Sequence, residues 1–122
     1  MVTAARARST VGRWGEDLVA TYLVGRGMVI VERNWRCPLG EVDIVALHER
    51  TLVLVEVKTR TTQRFGSAVE AVTPSKLARL RKLAARWLHD HPVHPDHVRI
   101  DVVGVLIPHR GAPQIDHREG VA

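Results

Sequence analysis

Two short segments of the chain combine acidic and basic side chains in a spacing that suits metal-dependent chemistry. GEVDIVAL places Asp43 inside an apolar run, and TLVLVEVKTR places Glu56 and Lys58 two residues apart. Because side chains alternate across a strand, Glu56 and Lys58 point to the same face as Leu52 and Leu54. The sequence therefore predicts charged groups on a strand face that is otherwise apolar.

A short polar link joins the two segments and predicts a β-hairpin. Leu47 then faces either Thr51 or Leu52, so that Asp43 lies next to Glu56 in the first register and opposite it in the second. Facing residues have Cβ atoms about 5 Å apart, so two facing carboxylates repel each other. A bound cation would turn that repulsion into attraction. The alternative is a solvated ladder of surface salt bridges.

The acidic cluster contains no histidine or cysteine, and oxygen ligands favour Mg²⁺ or Mn²⁺ over Zn²⁺. Asp43, Glu56 and a backbone carbonyl, for which that of Val57 is the candidate, would hold the ion. Lys58 would orient or deprotonate the attacking water and stabilise the charge that develops on phosphorus. Such a site would hydrolyse a phosphodiester by metal-assisted attack.

Basic residues outnumber acidic ones, and the formal net charge of the 122 residues is +5. A basic balance favours a polyanionic partner, of which nucleic acid is the commonest. Lys76 in the second long helix is a candidate phosphate contact, with ordinary surface charge as the alternative. The same two interpretations apply to four arginines around the acidic segments, namely Arg33, Arg36, Arg60 and Arg64.

The elements that must position these residues follow from the apolar spacing. A first helix is predicted from about Val11 to Arg26, with Val11, Trp14, Leu18 and Tyr22 on one stripe. A β-rich run from Met28 to Arg33 follows, and it precedes the two strands of the hairpin.

A second helix is predicted to begin at Thr73-Pro74, and a last strand, apolar and buried on both faces, spans residues 98–107. Asp101 in this strand is predicted to be a paired acid, with a role as third metal ligand as the alternative. The order α-β-β-β-α-β predicts an α/β fold, a mixed sheet flanked by helices. The predicted divisions are a flexible basic N-terminus (residues 1–10), one domain (11–107) and a flexible tail (108–122).

Cysteine usage and the apolar stretches bear on the compartment. Cys37 is the single cysteine, so no intramolecular disulfide can form. No apolar run follows the N-terminal arginines, and no stretch reaches the length of a membrane span. The sequence therefore predicts a cytoplasmic protein that does not enter the membrane.

Several segments together carry a resemblance to a known family. GRWGEDLVATYL, RNWR, GEVDIVA, VEVKTR and FGSAVEAV resemble the YraN family of bacterial proteins, over about residues 12–107. That family is similar to archaeal Holliday-junction resolvases and implies a restriction-endonuclease-like fold of the PD-(D/E)XK type. Asp43 then matches the first acid of the motif, and Glu56 and Lys58 match its E-x-K. Glu16 matches a helix acid that can complete the metal shell, and Val42 replaces the proline that gives the motif its name.

The resemblance implies a DNA endonuclease dependent on Mg²⁺ or Mn²⁺, acting on branched or damaged DNA in repair or recombination. Resolvases work as homodimers, so it also implies a second copy of the chain where two strands are cut. One alternative is a non-catalytic module that binds nucleic acid on a nuclease fold. Another is a structural adaptor that docks through its basic surface.

Overall fold

Five strands form one mixed sheet, and a helix packs on each of its faces. The computed structural model describes residues 10–61 and 72–121. The strand order is β1-β2-β3-β4-β5, with β3 and β4 parallel and the other neighbours antiparallel. The predicted mixed sheet and the order α-β-β-β-α-β are confirmed, with one further strand at the end. The elements are α1 (Thr10–Gly25), β1 (Val29–Cys37), β2 (Gly40–His48), β3 (Thr51–Arg60), α2 (Pro74–Asp90), β4 (His97–Leu106) and β5 (Gln114–Arg118).

The two helices bury opposite faces of the sheet. Val19 and Leu23 of α1 pack in a cluster that includes Val53 and Val55 of β3. On the other face, residues of α2 pack with the intervening leucines of β3; this cluster includes Leu52, Leu54, Leu80, Leu83 and Trp87. The predicted alternation along β3 is confirmed, and the strand that carries Glu56 and Lys58 is covered on both sides.

The buried face of α1 differs from the predicted stripe. Trp14 is 45% exposed, and Val11 at the start of the helix is also exposed. The buried residues are Gly15, Glu16, Val19 and Leu23. The helix is rotated because Gly15, without a side chain, lies directly against Thr59 of β3. The predicted stripe was therefore wrong at Val11 and Trp14, whereas Leu18 and Tyr22 pack partly buried against the core and the inward orientation considered for Glu16 is observed.

The hairpin and the second helix follow their sequence signals. Leu47 pairs with Leu52, which is the second of the two registers considered. The hydroxyl of Thr73 accepts a hydrogen bond from the N–H of Lys76 (3.2 Å), and Pro74 begins α2. This capping satisfies one of the helix N–H groups that have no partner within the helix.

The C-terminal segment corrects the predicted flexible tail. β5 pairs with β4 in an antiparallel ladder that runs from Leu106↔Gln114 to Val102↔Arg118. Asp101 of β4 is fully buried and accepts hydrogen bonds from Arg99 and from the N–H of Gly120, so the predicted paired acid is confirmed. Of the segment predicted to be a flexible N-terminus, residues 1–9 lie outside the described ranges. Within those ranges no helix is long and apolar enough to cross a membrane.

Candidate active site

Residues of β2, β3 and α2 line one open polar pocket of about 390 Å³. It contains acids and bases in equal number, three of each. The pocket brings together the candidates Asp43, Glu56, Val57, Lys58 and Lys76, which the sequence distributes over three elements. Its lining residues are Gly40, Glu41, Asp43, Glu56, Val57, Lys58, Lys76 and Arg79.

Asp43 is anchored by the backbone of the neighbouring strand. The regular pairing of β2 with β3 reaches Ile44↔Val55, and continuing this register would bring Asp43 opposite Glu56. The N–H of Val57 donates to Oδ2 of Asp43 at 2.8 Å. This hydrogen bond fixes the orientation of the carboxylate of a residue that is only 9% exposed. An acid held in this way keeps its position when charge in the pocket changes.

Glu56 is shared between two lysines. The residue is 6% exposed, and its Oε2 lies 2.7 Å from Nζ of Lys76 and 3.3 Å from Nζ of Lys58. β3 lies between β2 and β4 in the sheet, so the backbone that carries Glu56 and Lys58 is held from both sides. The buried negative charge is thus paired within the pocket, as a buried charge must be.

The two lysines have pKa values that move in opposite directions. Burial is the largest cause that lowers the pKa of Lys58, and the neighbouring ammonium of Lys76 lowers it further, against the attraction of Glu56. Burial also lowers the pKa of Lys76, but its contacts with Glu56 and Lys58 and the charge of Asp43 outweigh this effect and raise it. Lys76 therefore holds its proton more firmly than Lys58 does.

Glu16 lies outside the lining of this pocket. It is buried on α1, and Oε1 accepts a hydrogen bond from Nη2 of Arg33 at 3.0 Å. The same guanidinium nitrogen contacts Asp17 at 2.6 Å. The structure thus places Arg33 between two acids of α1, and the metal-ligand role of Glu16 stays a prediction.

The remaining basic candidates lie around the pocket or beyond the described residues. Arg36 donates to Glu41 at 3.2 Å, and Glu41 lines the pocket. Arg60 is exposed at the end of β3, two residues after Lys58. Arg64 lies outside the described residues.

Three lining residues, Gly40, Glu41 and Arg79, were not among the site candidates taken from the sequence. Arg79 follows Lys76 by three residues, a spacing that puts both side chains on one side of a helix. That spacing was the available signal. Gly40 begins β2 with a φ of +142° and gave no signal, because a glycine near a turn has many ordinary explanations.

Comparisons with known proteins give a consistent family match. Residues 15–105 match the model of the uncharacterised protein family UPF0102. A UPF0102 protein of Beutenbergia cavernae is 53% identical over 116 residues, covering 95% of this chain and 98% of that protein. A UPF0102 protein of Mycolicibacterium vanbaalenii is 49% identical over 121 residues, covering 99% of this chain and all of that protein.

The chain also aligns with a solved structure. It is that of Hjc from Archaeoglobus fulgidus, a Holliday junction resolvase of an archaeal hyperthermophile. The alignment has 19% sequence identity and a TM-score of 0.47, and covers 86% of this chain and 75% of the resolvase.

Proposed function

The chain belongs to the uncharacterised protein family UPF0102, and we propose that its polar pocket is the active site of a divalent-metal-dependent endonuclease that acts on DNA. The family membership confirms the resemblance drawn from the sequence motifs. The observation that carries the proposal is the convergence of two buried carboxylates, Asp43 and Glu56, with two lysines in one open pocket. A pocket of this kind supplies oxygen ligands for a cation beside donors for a phosphate.

The donor set fits Mg²⁺ or Mn²⁺. The carboxylates of Asp43 and Glu56 and the carbonyl of Val57 would hold the ion, and all three ligands are oxygen. The pocket already stabilises a positive charge, because the ammonium of Lys76 lies against Glu56. Within residues 10–61 and 72–121 no three His, Cys, Asp or Glu side chains are grouped to hold a metal, so water and substrate oxygens would complete the shell. When bound, the ion would supply Lewis-acid stabilisation of the phosphate and a water of lowered pKa.

The chain's own residues then have distinct roles. Lys58, whose pKa is lowered chiefly by burial, accepts the proton of the water that attacks phosphorus. As the new bond to phosphorus forms, the bond to one sugar oxygen of the strand breaks, and that oxygen takes a proton from solvent. Lys76, whose pKa is raised by its acidic neighbours, stays charged and stabilises the negative charge that develops on the phosphate oxygens. The N–H of Val57 holds Asp43 in place throughout. One pocket acts on one strand, so cutting opposite strands of branched DNA would use two copies of the chain.

Cleavage of linear, nicked, flapped and four-way DNA with Mg²⁺ or Mn²⁺ tests the proposal, with EDTA as the metal-free control. The matched variant is Asp43→Asn, because an amide oxygen still accepts from the N–H of Val57 while the charge is lost. We expect the wild type to cut at least one substrate. The cleavage rate of the variant should be more than about 100-fold lower than that of the wild type. A loss of about 100-fold is the upper range for removing a group that only supports a metal ligand. Equal cleavage by both proteins, or none by the wild type, would contradict the proposal.

A non-catalytic binding module is the second candidate function. The observation that favours it is the Lys76 contact, since an ammonium at 2.7 Å already neutralises Glu56 without a metal. In that case the wild type would bind DNA equally well in EDTA and in Mn²⁺ and would leave every substrate intact. The same assay, read by binding and by cleavage, separates the two functions.

A further inference from the structure

The side chain of Arg79 forms part of the pocket wall on the α2 side. Its Cδ lies 3.4 Å from where a Cβ on Gly40 would be, so its aliphatic part passes over bare backbone. Arg79 is exposed, and it lines the same pocket as Asp43 and Glu56. A residue larger than glycine at position 40 would press against this stem.

The charge of Arg79 differs from that of the other cations around the pocket. Lys58 and Lys76 both contact Glu56, and Arg36 contacts Glu41. Across the described parts of the chain, Arg79 is the cation lining this pocket that has no carboxylate within salt-bridge distance. Its guanidinium therefore has its full hydrogen-bonding capacity available for a ligand.

The charge balance of the pocket indicates the class of that ligand. The three acids of the lining are faced by its three bases and by Arg36, which contacts Glu41, so the groups around the pocket carry one positive charge in excess. A net positive pocket attracts phosphate, and the planar fork of arginine binds two phosphate oxygens at once. We propose that Arg79 binds a backbone phosphate of the DNA strand at the mouth of the pocket and so positions the strand for cleavage. This inference rests on the proposed function for the role in cleavage, but not for DNA binding itself.

Arg81 provides a matched control on the same helix. It is also exposed, and no ion pair to a described residue satisfies it. It lines a different, apolar groove with Ala84, Ala85 and Leu88. Arg79→Gln and Arg81→Gln thus remove the same charge from the same exposed helix, and only the first removes it from the pocket.

The experiment measures the dissociation constant of a labelled DNA in EDTA over a range of salt concentrations, together with kcat and KM in Mn²⁺. For Arg79→Gln we expect the slope of log affinity against log salt to fall in magnitude by about 0.9, the value for one phosphate contact on duplex DNA. KM should rise more than kcat falls, and Arg79→Lys should retain the slope because it retains the charge. Arg81→Gln should behave as the wild type.

The two proposals fail in different ways. If the wild type cleaves and the two glutamine variants have equal slopes, the phosphate role of Arg79 is overturned while the nuclease function stands. If the wild type does not cleave, but the salt slope is reduced in Arg79→Gln and unchanged in Arg81→Gln, the nuclease function is overturned and the phosphate contact is supported. If the wild type binds no DNA, both are overturned. Thermal melting of each variant verifies that the fold is retained.

Discussion

Glu56 shares one carboxylate between two ammonium groups, and this arrangement separates the two lysines chemically. Lys76 is held in its charged form by Glu56 and Asp43, whereas burial favours the neutral form of Lys58. Neighbouring groups whose pKa values are driven apart are the usual basis for assigning one as the base and the other as the electrostatic stabiliser. The same pairing means that a change at Lys76 must alter Lys58.

The substitution Lys76→Gln tests this coupling through the pH profile. Lys76 lowers the pKa of Lys58, so removing its charge raises that pKa. A base with a higher pKa loses its proton only at higher pH. The rise of kcat/KM with pH should therefore be shifted to higher pH than in the wild type. Lys82→Gln, an exposed lysine on the same helix, should leave the profile in place. A shift toward lower pH would contradict the assigned roles.

At the residue scale, the sequence indicated which acids and lysines share one pocket better than it indicated the contacts of the arginines. Asp43 and Glu56 were predictable because a charge inside an apolar strand has few structural explanations. Arg33 and Arg36 look like phosphate contacts in the sequence, but the structure pairs them with Glu16 and Glu41. Whether an arginine on the surface has an acidic partner depends on tertiary contacts, which local spacing does not contain.

At the element scale, the contact between α1 and β3 depends on one glycine. A Cβ on Gly15 would lie 2.0 Å from Oγ1 of Thr59 and 3.0 Å from its Cβ, both closer than packed atoms allow. Thr59 directly follows Lys58, so this contact supports the strand end that carries the site. The helix can approach the sheet this closely only because position 15 has no side chain.

Gly15→Ala should destabilise the protein by about 1–3 kcal/mol, the usual range for overpacking, even though alanine is the better helix former by about 1 kcal/mol. Urea denaturation measures the difference. Gly25→Ala in the same helix is the control, because its added Cβ would meet nothing within 4 Å. Thr59→Ala should recover part of the loss in the double variant. Equal stability of the two alanine variants would show that α1 does not need this close approach.

The elements themselves were largely predictable, and the exceptions have physical reasons. The hairpin is predictable from the alternation of apolar and polar side chains along its strands. The start of α2 is predictable from Thr73-Pro74. The predicted buried face of α1 was wrong at Trp14. The apolar spacing identified Trp14 as buried, whereas the close approach at Gly15 decides which face of the helix is buried. β5 was missed because five residues of mixed polarity have no readable period.

At the scale of the whole molecule, β5 contacts both the first helix, α1, and the strand β4. His117 of β5 lies between Tyr22 of α1 and Asp101 of β4, with Nδ1 2.9 Å from the tyrosine hydroxyl and Nε2 2.7 Å from the carboxylate. A carboxylate only accepts, so Nε2 carries the hydrogen, and in the neutral ring Nδ1 accepts from Tyr22. The side chain of Asp101 is 0% exposed and that of His117 is 5% exposed. These buried polar groups form one hydrogen-bonded series, in which the loss of a partner leaves a buried group unsatisfied.

His117→Ala should therefore destabilise the protein by about 1–3 kcal/mol, because it removes one partner of a buried acid and one of Tyr22. Asp101 keeps its contacts with Arg99 and the N–H of Gly120, which limits the loss. Urea denaturation of this variant is compared with His109→Ala, whose side chain is exposed between β4 and β5. The two alanine variants should have the same DNA affinity, since these residues do not line the pocket. If His117→Ala were as stable as His109→Ala, then β5 would be an accessory strand, and the domain would end at β4 as the sequence alone predicted.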